Sequence, residues 1–451
     1  MKPDNFLGGR VTLYGGDCLA ALPLLADNSI DSCVVDPPYH LASIVKRFAK
    51  TGGGDRTASR VGAYTRHACG FMGRTWDGGD IAFRPETWAA VLRVLKPGAH
   101  LVAFAAPKNG HRLACAIEDA GFEIRDTIAW LFGSGFQKSH DVSKGIDRIA
   151  GAEREIVTVG APVKRMIPGA DQNASGWEKN NGREYVPNRS APATEAAAEW
   201  KGWGTALKPA YEPIILARKP LSEKTVAANV LRWRTGALNI EACRVAGNED
   251  TARAQGKDIC GGNWSGNGGQ SELTTGGGTG RWPANVTHDG SDEVIESFPD
   301  APGQQYYVGP EHGERLSRGI YGDFGARPPN EPRGDSGSAA RFFYSAKADA
   351  NDRIGSKHPT VKPIDLMQWL VRLVTPPRGT VLDPFAGTGS TAEAAWREGM
   401  NCVLIEREKE YQADIQRRMK LCLAGPDERA RESIKAKTKD DPVDHGPLFA
   451  T

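Results

Sequence analysis

The sequence lacks the long apolar run that a membrane span requires. Nowhere in its 451 residues is there an uninterrupted apolar stretch of the roughly 18 residues needed to cross a bilayer. The first residues, Met1-Lys2-Pro3-Asp4-Asn5, do not have the basic and then apolar character of a signal peptide. The sequence therefore predicts a cytoplasmic protein.

The cysteines lack the spacing of a metal site or a disulfide framework. All eight are scattered, no two form a Cys-x-x-Cys pair, and no histidine spacing matches them. We expect reduced, mostly buried thiols, and we expect no metal.

Charge of one sign is also missing, since the formal net charge is only +2. Hydrophobic residues at 39% and charged residues at 25% describe an ordinary globular chain. The length allows one large α/β domain and a second module.

A glycine motif near the end of the chain is the strongest local signal. The apolar run Val381-Leu382 stops at Asp383, and Pro384-Phe385-Ala386-Gly387-Thr388-Gly389 leads into a helical pattern at Ser390-Thr391. A strand, glycine turn and helix in this order bind nucleotide-like cofactors at the carboxyl edge of a parallel sheet. A nicotinamide oxidoreductase fits less well, because Ala392 stands where its fingerprint has a third glycine.

A second motif follows the apolar run 30–35 and reads Asp36-Pro37-Pro38-Tyr39. Two prolines cannot continue a central strand, so the chain must turn and leave Asp36 and Tyr39 at the sheet edge. Further strands are predicted at 11–14, 101–104, 123–132, 211–217 and 402–405, with helices between several of them. This alternation is typical of a parallel α/β sheet.

The two motifs resemble those of the S-adenosylmethionine-dependent DNA amino-methyltransferases, and their order resembles the β group of that family. Lys357-His358-Pro359-Thr360-Val361-Lys362-Pro363 and Gly16-Asp17-Cys18 are similar to further family segments. The resemblance covers most of residues 10–420, and within the family the sequence is similar to phage and prophage members. It implies a circularly permuted, Rossmann-like methyltransferase fold. The expected sheet is mostly parallel and seven-stranded, with an inserted loop-rich target-recognition module.

The implied domains are a catalytic half at 1–223, a target-recognition module at 224–345, a cofactor half at 346–423 and a flexible tail at 424–451. The resemblance also implies site roles. Asp36 and the Pro37 carbonyl accept hydrogen bonds from an exocyclic amine, Pro38 stiffens the turn, and Tyr39 stacks on a flipped-out base. Trp130 and Phe132 either wall the base pocket or belong to the core. The residues expected to bind S-adenosyl-L-methionine are Asp17, Cys18, Thr360, Lys362, Asp383, Phe385, Ala386, Gly387, Thr388, Gly389, Ser390 and Glu406. For Asp17, a helix N-cap is the alternative.

Double-stranded DNA is the implied partner. Residues 41–75 carry seven basic residues against one acid, a balance of 7 − 1 = +6, which suits a clamp on the phosphate backbone or a solvated face. The basic residues are Lys46, Arg47, Lys50, Arg56, Arg60, Arg66 and Arg74. Residues 246–345 are predicted to read bases, although their balance is 8 − 14 = −6.

N6 of adenine is the favoured target, because cytosine members of the family commonly carry serine where this chain has Asp36. An N4-cytosine enzyme of the same fold and a catalytically inactive DNA-binding homologue are the alternatives. The motifs leave open the target sequence, a homodimer and a companion restriction enzyme.

Overall fold

The computed structural model describes residues 1–39, 80–135, 139–160, 188–250, 279–301, 336–346, 350–354, 356, 361–425, 427–429 and 431. It also describes short strand segments between 163 and 185 and between 317 and 324. In chain order the strands are β1 (Asp4–Phe6), β2 (Val11–Gly15), β3 (Ile30–Val35), β4 (Leu95–Phe104), β5 (Glu123–Leu131), β6 (Ile156–Val159), β7 (Val163–Lys164), β8 (Asp171–Asn173), β9 (Gly176–Glu178), β10 (Glu184–Tyr185), β11 (Asn188–Ser190), β12 (Tyr211–Arg218), β13 (Val245–Asp250), β14 (Thr279–Arg281), β15 (Val286–His288), β16 (Ser317–Gly319), β17 (Gly322–Phe324), β18 (Tyr344–Ser345), β19 (Thr380–Asp383) and β20 (Asn401–Glu406).

α-Helices lie between several of the strands. They are α1 (Cys18–Ala21), α2 (Pro85–Val94), α3 (Gly110–Asp119), α4 (Val142–Ala150), α5 (Glu195–Glu199), α6 (Val226–Trp233), α7 (Asp292–Ser297), α8 (Ile364–Val374), α9 (Ser390–Arg397) and α10 (Lys409–Leu421). No helix in the described ranges has the length and apolarity needed to cross a membrane.

The central sheet has ten strands in the order β1-β2-β20-β19-β3-β4-β12-β5-β15-β18. The run from β2 to β4 is parallel throughout. The predicted Rossmann-like, mostly parallel fold is confirmed. The predicted count of seven strands is too low, because β1, β15 and β18 extend the two edges.

The order of strands shows the permutation directly. The last two strands of the chain, β19 and β20, lie between β2 and β3, which are among the first. All six residues of β3 are buried, as expected for a parallel strand covered on both faces. The C-terminal part of the chain therefore supplies the middle of the sheet.

Strand β12 runs against its neighbours. It pairs antiparallel with both β4 and β5, with Glu212 opposite Trp130. The sequence predicted the pairing of this strand with 123–132 but placed it at the sheet edge. In the structure β12 is an interior strand between β4 and β5, and β15 and β18 continue the sheet beyond β5.

Strand β4 begins earlier than predicted. The sequence indicated a helix ending at Lys96-Pro97-Gly98 and a strand from Leu101. In the structure α2 ends at Val94, and β4 already starts at Leu95, opposite Ile30 of β3. Pairing with β3, through an irregular register between Ile30 and Ser32, decides the boundary there.

Helices cover the sheet on both faces. One buried cluster joins the sheet to α8, α9 and α10 through residues such as Trp369 and Ile415. The other joins it to α2 and α3 through residues such as Trp88 and Ile117. Val34 belongs to the first cluster and Val35 to the second, which is the period-two alternation of a strand.

By its contacts the chain divides into two compact units, Met1–Gly133 with Tyr211–Gly425, and Ser134–Ala210 with Pro426–Thr451. The sequence predicts a target-recognition module at 224–345. The described residues of that range group with the central sheet, since β15 and β18 are strands of it.

The second unit has its own polar centre. Asp147 of α4 is buried and accepts hydrogen bonds from Arg154 Nη1 at 2.8 Å and from the Thr194 hydroxyl at 2.8 Å. The backbone N–H groups of Ala193 and Thr194 donate to the same carboxylate. These bonds lower the pKa of Asp147, although burial opposes them.

Replacing Trp88 with alanine tests the packing of α2. Its side chain is fully buried, and its indole N–H donates to the Ala82 carbonyl at 2.8 Å. We expect Trp88→Ala to lower the free energy of unfolding, measured in urea, by about 3–5 kcal/mol. Leu231→Ala on α6, where the side chain is 88% exposed, is the control and should change it by less than about 0.5 kcal/mol. Equal effects of the two variants would contradict the layer packing.

Candidate active site

Four carboxylates mark one edge of the sheet. Asp36 follows β3, Asp383 ends β19, Glu406 ends β20, and Asp17 follows β2. These strands are parallel neighbours, so their carboxyl ends lie side by side. Both sequence motifs therefore meet at this edge.

The glycine turn needs its glycines. Gly387 and Gly389 have φ angles of 52° and 79°, in the left-handed region that side chains disfavour. A Cβ on Gly389 would lie 3.1 Å from Ile415 Cγ1. The Gly389 N–H donates to the Ala386 carbonyl at 2.8 Å and closes the turn.

Two buried carboxylates hold the backbone around this turn. Glu406 Oε2 accepts a hydrogen bond from the Gly387 N–H at 2.8 Å, and Oε1 accepts one from the Glu408 N–H at 2.7 Å. Asp383 accepts from the Phe385 N–H at 3.0 Å and from the Thr391 hydroxyl at 2.5 Å. Burial raises the pKa of both carboxyl groups to about 7.

A fully buried arginine braces the turn from behind. Arg418 of α10 donates through Nε to the Thr388 carbonyl at 2.7 Å and through Nη1 to Glu393 Oε2 at 2.7 Å. Sequence analysis did not single out Arg418. Nothing in the pattern distinguishes it, because α10 carries neighbouring arginines and lysines of the same appearance.

At β2 the structure supports the alternative for Asp17. Its Oδ1 accepts a hydrogen bond from the Leu19 N–H at 2.9 Å, which makes it the N-cap of α1. Cys18 is buried, and burial followed by the charge of Asp17 raises the pKa of its thiol to about 12. The Gly16 N–H donates to the Glu406 carbonyl at 2.9 Å and joins this segment to the end of β20.

Around Asp36 the structure brings together residues from three distant parts of the chain. Lys362 Nζ lies 2.8 Å from Asp36 Oδ2 and 3.2 Å from Glu212 Oε2. It also donates to the Tyr39 hydroxyl at 3.1 Å, and that hydroxyl donates to Glu212 Oε2 at 3.3 Å. The Asn109 amide donates to the Tyr39 carbonyl and fixes the backbone there.

This network shifts the pKa values of Lys362 and Tyr39. Burial would lower the pKa of Lys362, but the carboxylates of Asp36 and Glu212 raise it above the ordinary lysine value. Burial, and then the charges of Asp36 and Glu212, raise the pKa of Tyr39 well above its ordinary value. Lys362 is therefore an ammonium and Tyr39 a neutral phenol at physiological pH.

Glu212 is the site residue that sequence analysis missed. It lies near the start of β12, and because this strand is antiparallel, its start lies at the carboxyl ends of the parallel strands. The available signal was an acid near the start of the otherwise apolar run Pro213–Ala217.

Among the buried polar atoms that have no hydrogen-bond partner within the described part of the chain, two bear on this network. They are Asp36 Oδ1 and the indole nitrogen of Trp130, which stands opposite Glu212. Trp130 belongs to the core cluster, and its ring centroid lies 5.4 Å from that of Phe132. Within the described residues, Asp36 Oδ1 is thus an acceptor that a ligand could engage.

Several predicted residues cannot be placed. Thr360 and all seven basic residues of 41–75 lie outside the described residues.

The other predicted residues of the two motifs are placed at the site. Pro37 is buried and Pro38 half-buried beside Asp36. Phe385, Ala386, Thr388 and Ser390 occupy the turn, with the Thr388 and Ser390 hydroxyls 3.4 Å apart.

The arrangement was compared with known proteins. The profile of the DNA methylase family, of the N6/N4 type, matches residues 30–417. The chain belongs to this family. S-adenosylmethionine is the methyl donor of the family.

Curated relatives match over shorter stretches. The chain is 23% identical over 243 residues to the type II methyltransferase M.HindIII of Haemophilus influenzae, covering 50% of this chain and 64% of the relative. It is 32% identical over 100 residues to the type II methyltransferase M.HinfI of Haemophilus influenzae, covering 22% and 28%. The matched stretch thus spans less than two-thirds of each of these relatives.

Solved structures align over most of both chains. The cytosine-N4-specific PvuII DNA methyltransferase aligns with a TM-score of 0.41 at 12% identity, covering 95% of this chain and 93% of that one. The M1.HpyAVI–SAM complex aligns with a TM-score of 0.33 at 13% identity, covering 91% and 99%.

The edge of the sheet around the glycine turn suits S-adenosylmethionine on its own geometry. The left-handed glycines bring backbone N–H groups close to the edge without a Cβ in the way. Each Glu406 oxygen accepts one backbone hydrogen bond and keeps capacity for a ribose hydroxyl. Acidic groups around the turn suit the positive sulfonium and ammonium groups.

Glu406→Gln tests the burial of this carboxylate in the ligand-free protein. Because its pKa rises from 4.5 to about 7 on folding, protonation stabilises the native state. That stabilisation is complete below about pH 4.5 and is lost as the pH rises through about 7. As the pH rises from about 4.5 to about 7, the free energy of unfolding of the wild type should therefore fall by about 3 kcal/mol more than that of the variant.

The control is Gln412→Ala, since Gln412 contacts the Glu406 carbonyl at 2.8 Å and not its carboxylate. This variant should shift stability by the same amount at every pH. A Glu406→Gln curve parallel to the wild-type curve in urea titrations would contradict the assignment.

Proposed function

We propose that this protein is a site-specific DNA methyltransferase. It transfers a methyl group from S-adenosylmethionine to the exocyclic N6 of an adenine swung out of the duplex. The observation that carries the proposal is the buried, unpartnered Asp36 Oδ1 beside the glycine turn, within the residues described. A buried carboxylate oxygen without a partner is costly unless a ligand donates to it.

The amine requires such an acceptor for a chemical reason. The lone pair of an exocyclic nitrogen is delocalised into the ring, so the nitrogen is a poor nucleophile. Asp36 Oδ1 and the Pro37 carbonyl, each accepting one N–H, favour the tetrahedral geometry that turns the lone pair out of the ring. They also stabilise the positive charge that develops on nitrogen during transfer.

The remaining residues position the base and the donor. Tyr39 offers a half-buried ring, held by its hydroxyl and its carbonyl, for stacking on the base. When bound, S-adenosylmethionine supplies an electrophilic methyl group on a sulfonium. Glu406 and the Gly387–Ser390 turn would hold its ribose and amino-acid parts. Thr360 completes the proposed cofactor contacts.

Adenine is preferred to cytosine because of the side chain at position 36. A carboxylate stands where cytosine members of the family commonly have serine. An N4-cytosine enzyme is the second candidate, and the shared chemistry of an exocyclic amine favours it over unrelated reactions.

DNA contact is assigned by charge and chain position. The basic segment 41–75 follows Tyr39 almost directly and is proposed to hold the phosphate backbone. Residues 246–345 are proposed to read the base sequence, because phosphate contacts give affinity and base contacts give specificity.

Expression in a host without DNA methylation, followed by base-resolved mapping, tests the function. We expect N6-methyladenine at one recurring sequence context. N4-methylcytosine instead would replace adenine by cytosine and keep the reaction class. Unmodified DNA, with intact protein in the cells, would contradict the proposal.

The matched variants are Asp36→Ala and Asp119→Ala. Asp119 is an exposed residue at the end of α3, away from the site. Asp36→Ala should abolish methylation while S-adenosylmethionine still binds in calorimetry, because the cofactor contacts are untouched. Asp119→Ala should methylate like the wild type.

The triple change of Arg56, Arg60 and Arg66 to glutamine tests the backbone clamp. Each lost phosphate contact should reduce the slope of log K against log salt by about 0.9, so the slope should become shallower by up to about 3. DNA binding is measured by fluorescence anisotropy between low and moderate salt. Arg232→Gln, at a side chain 63% exposed on α6, is the control. An unchanged slope in the triple variant would make the segment a solvated surface.

A further inference from the structure

The ammonium of Lys362 is shared between two carboxylates and a phenol. Its Nζ lies 2.8 Å from Asp36 Oδ2, 3.2 Å from Glu212 Oε2 and 3.1 Å from the Tyr39 oxygen. An ammonium has three hydrogens, and here they meet three acceptors. The side chain of Lys362 is 6% exposed, so water does not compete for these positions.

The hydrogen bonds among these four residues fix Asp36 in one orientation. Oδ2 is engaged by Lys362, and Oδ1 has no partner in the described structure. Lys362 is in turn fixed by Glu212 and Tyr39, which are themselves hydrogen bonded at 3.3 Å. The direction in which Oδ1 points is therefore set partly by Glu212, which does not touch Asp36.

Charge gives Glu212 a second effect. Asp36 and Lys362 alone would form a neutral pair, and the lysine would weaken the attraction between Asp36 and a positive centre. With Glu212 the cluster carries 1 − 2 = −1. A net negative cluster favours the cationic nitrogen that forms during methyl transfer.

We propose that Glu212 is a positioning residue for methyl transfer, acting on Asp36 through Lys362. It holds the ammonium that orients Asp36, and it offsets the charge that this ammonium brings to the amine. The inference rests on the proposed function and deepens it.

Glu212 is one of several groups that stabilise the Lys362 ammonium. Lys362 also lies 4.9 Å from the Phe104 ring centroid and 5.3 Å from that of Tyr39, contacts that stabilise the ammonium. It is thus stabilised from several sides. Among the described residues of the network, Glu212 alone supplies the second negative charge.

The first test compares Glu212→Gln, Glu212→Asp and Glu123→Gln in the purified full chain. The substrate is unmethylated genomic DNA with tritiated S-adenosylmethionine. Glu212→Gln should lower the single-turnover rate by about 10- to 100-fold, the effect of one charge about 7 Å away at an effective dielectric constant of about 20. Its Kd for S-adenosylmethionine should stay within about threefold of wild type. Glu212→Asp should recover part of the rate.

Glu123→Gln is the matched control. Glu123 pairs with Arg218 at 2.6 Å, at the other end of β12, and lies away from the carboxyl edge. It should leave the rate unchanged. A wild-type rate in Glu212→Gln, or a loss of cofactor binding in it, would overturn the inference.

The second test separates charge from structure. Adding Lys362→Met to Glu212→Gln restores the net charge of −1, so the double variant should transfer methyl groups faster than Glu212→Gln alone. A structural role predicts the opposite, since a second deletion in one buried network adds damage. Because Lys362 also orients Asp36, a double variant slower than Glu212→Gln would overturn the charge part of the inference and leave the orientation of Asp36 as the role of Glu212.

A third measurement needs no activity. Lys362→Met leaves the carboxylates of Asp36 and Glu212 facing each other, so it should lower the urea midpoint strongly. The double variant relieves that repulsion and should have a higher midpoint than Lys362→Met. Equal midpoints would show that the residues are uncoupled. If wild-type protein methylates no DNA but this coupling is found, the proposed function fails and the network stands.

Discussion

The parallel pairing of β19 with β3 is the contact on which the site depends. It sets Val381 opposite Ser32 and Leu382 opposite Cys33, so the two strands end together. Asp383 and the glycine turn then meet Asp36 at one edge, although most of the chain separates them. A slip of one residue would exchange the two faces of a strand whose residues are all buried. The burial of β3 therefore fixes the geometry between the cofactor turn and the acceptor.

The acids at this edge are not equivalent. Asp383 and Glu406 are buried with pKa values of about 7, so their charge near neutral pH depends on what lies beside them. A cationic ligand favours the ionised forms, and an empty edge favours protonation. Asp36 instead stands beside an ammonium whose own pKa is raised by its carboxylate neighbours. Lys362 thus keeps its positive charge across the pH range in which Asp383 and Glu406 titrate.

The motifs and the periodicity of the strands were sufficient to predict the fold class, the permutation and the edge at which Asp36 and the glycine turn meet. Local patterns fail where a residue acts through distant partners. In the sequence nothing separates Glu212 from other acids, or Arg418 from the other basic residues of α10. The antiparallel direction of β12 brings Glu212 to Lys362, and α10 brings Arg418 to the glycine turn. Asp17 is the opposite case, since its local role as an N-cap is visible in the sequence and is present in the structure. The boundary between units also depends on distant contacts, because β15 and β18 join the central sheet only through tertiary pairing.

Lys362 and Arg418 have the same structural role on the two sides of the site. Each is a buried cation, and each holds a part of the proposed site: the Asp36 carboxylate in one case and, through the Thr388 carbonyl, the glycine turn in the other. Both cations are held by their partners in the protein alone, so the groups that they hold do not have to reorganise when a ligand arrives. Preorganised dipoles and charges stabilise a developing cation more effectively than mobile ones, because their ordering has already occurred during folding. The stability of the buried ion pairs and the alignment of the transfer site are therefore determined by the same contacts.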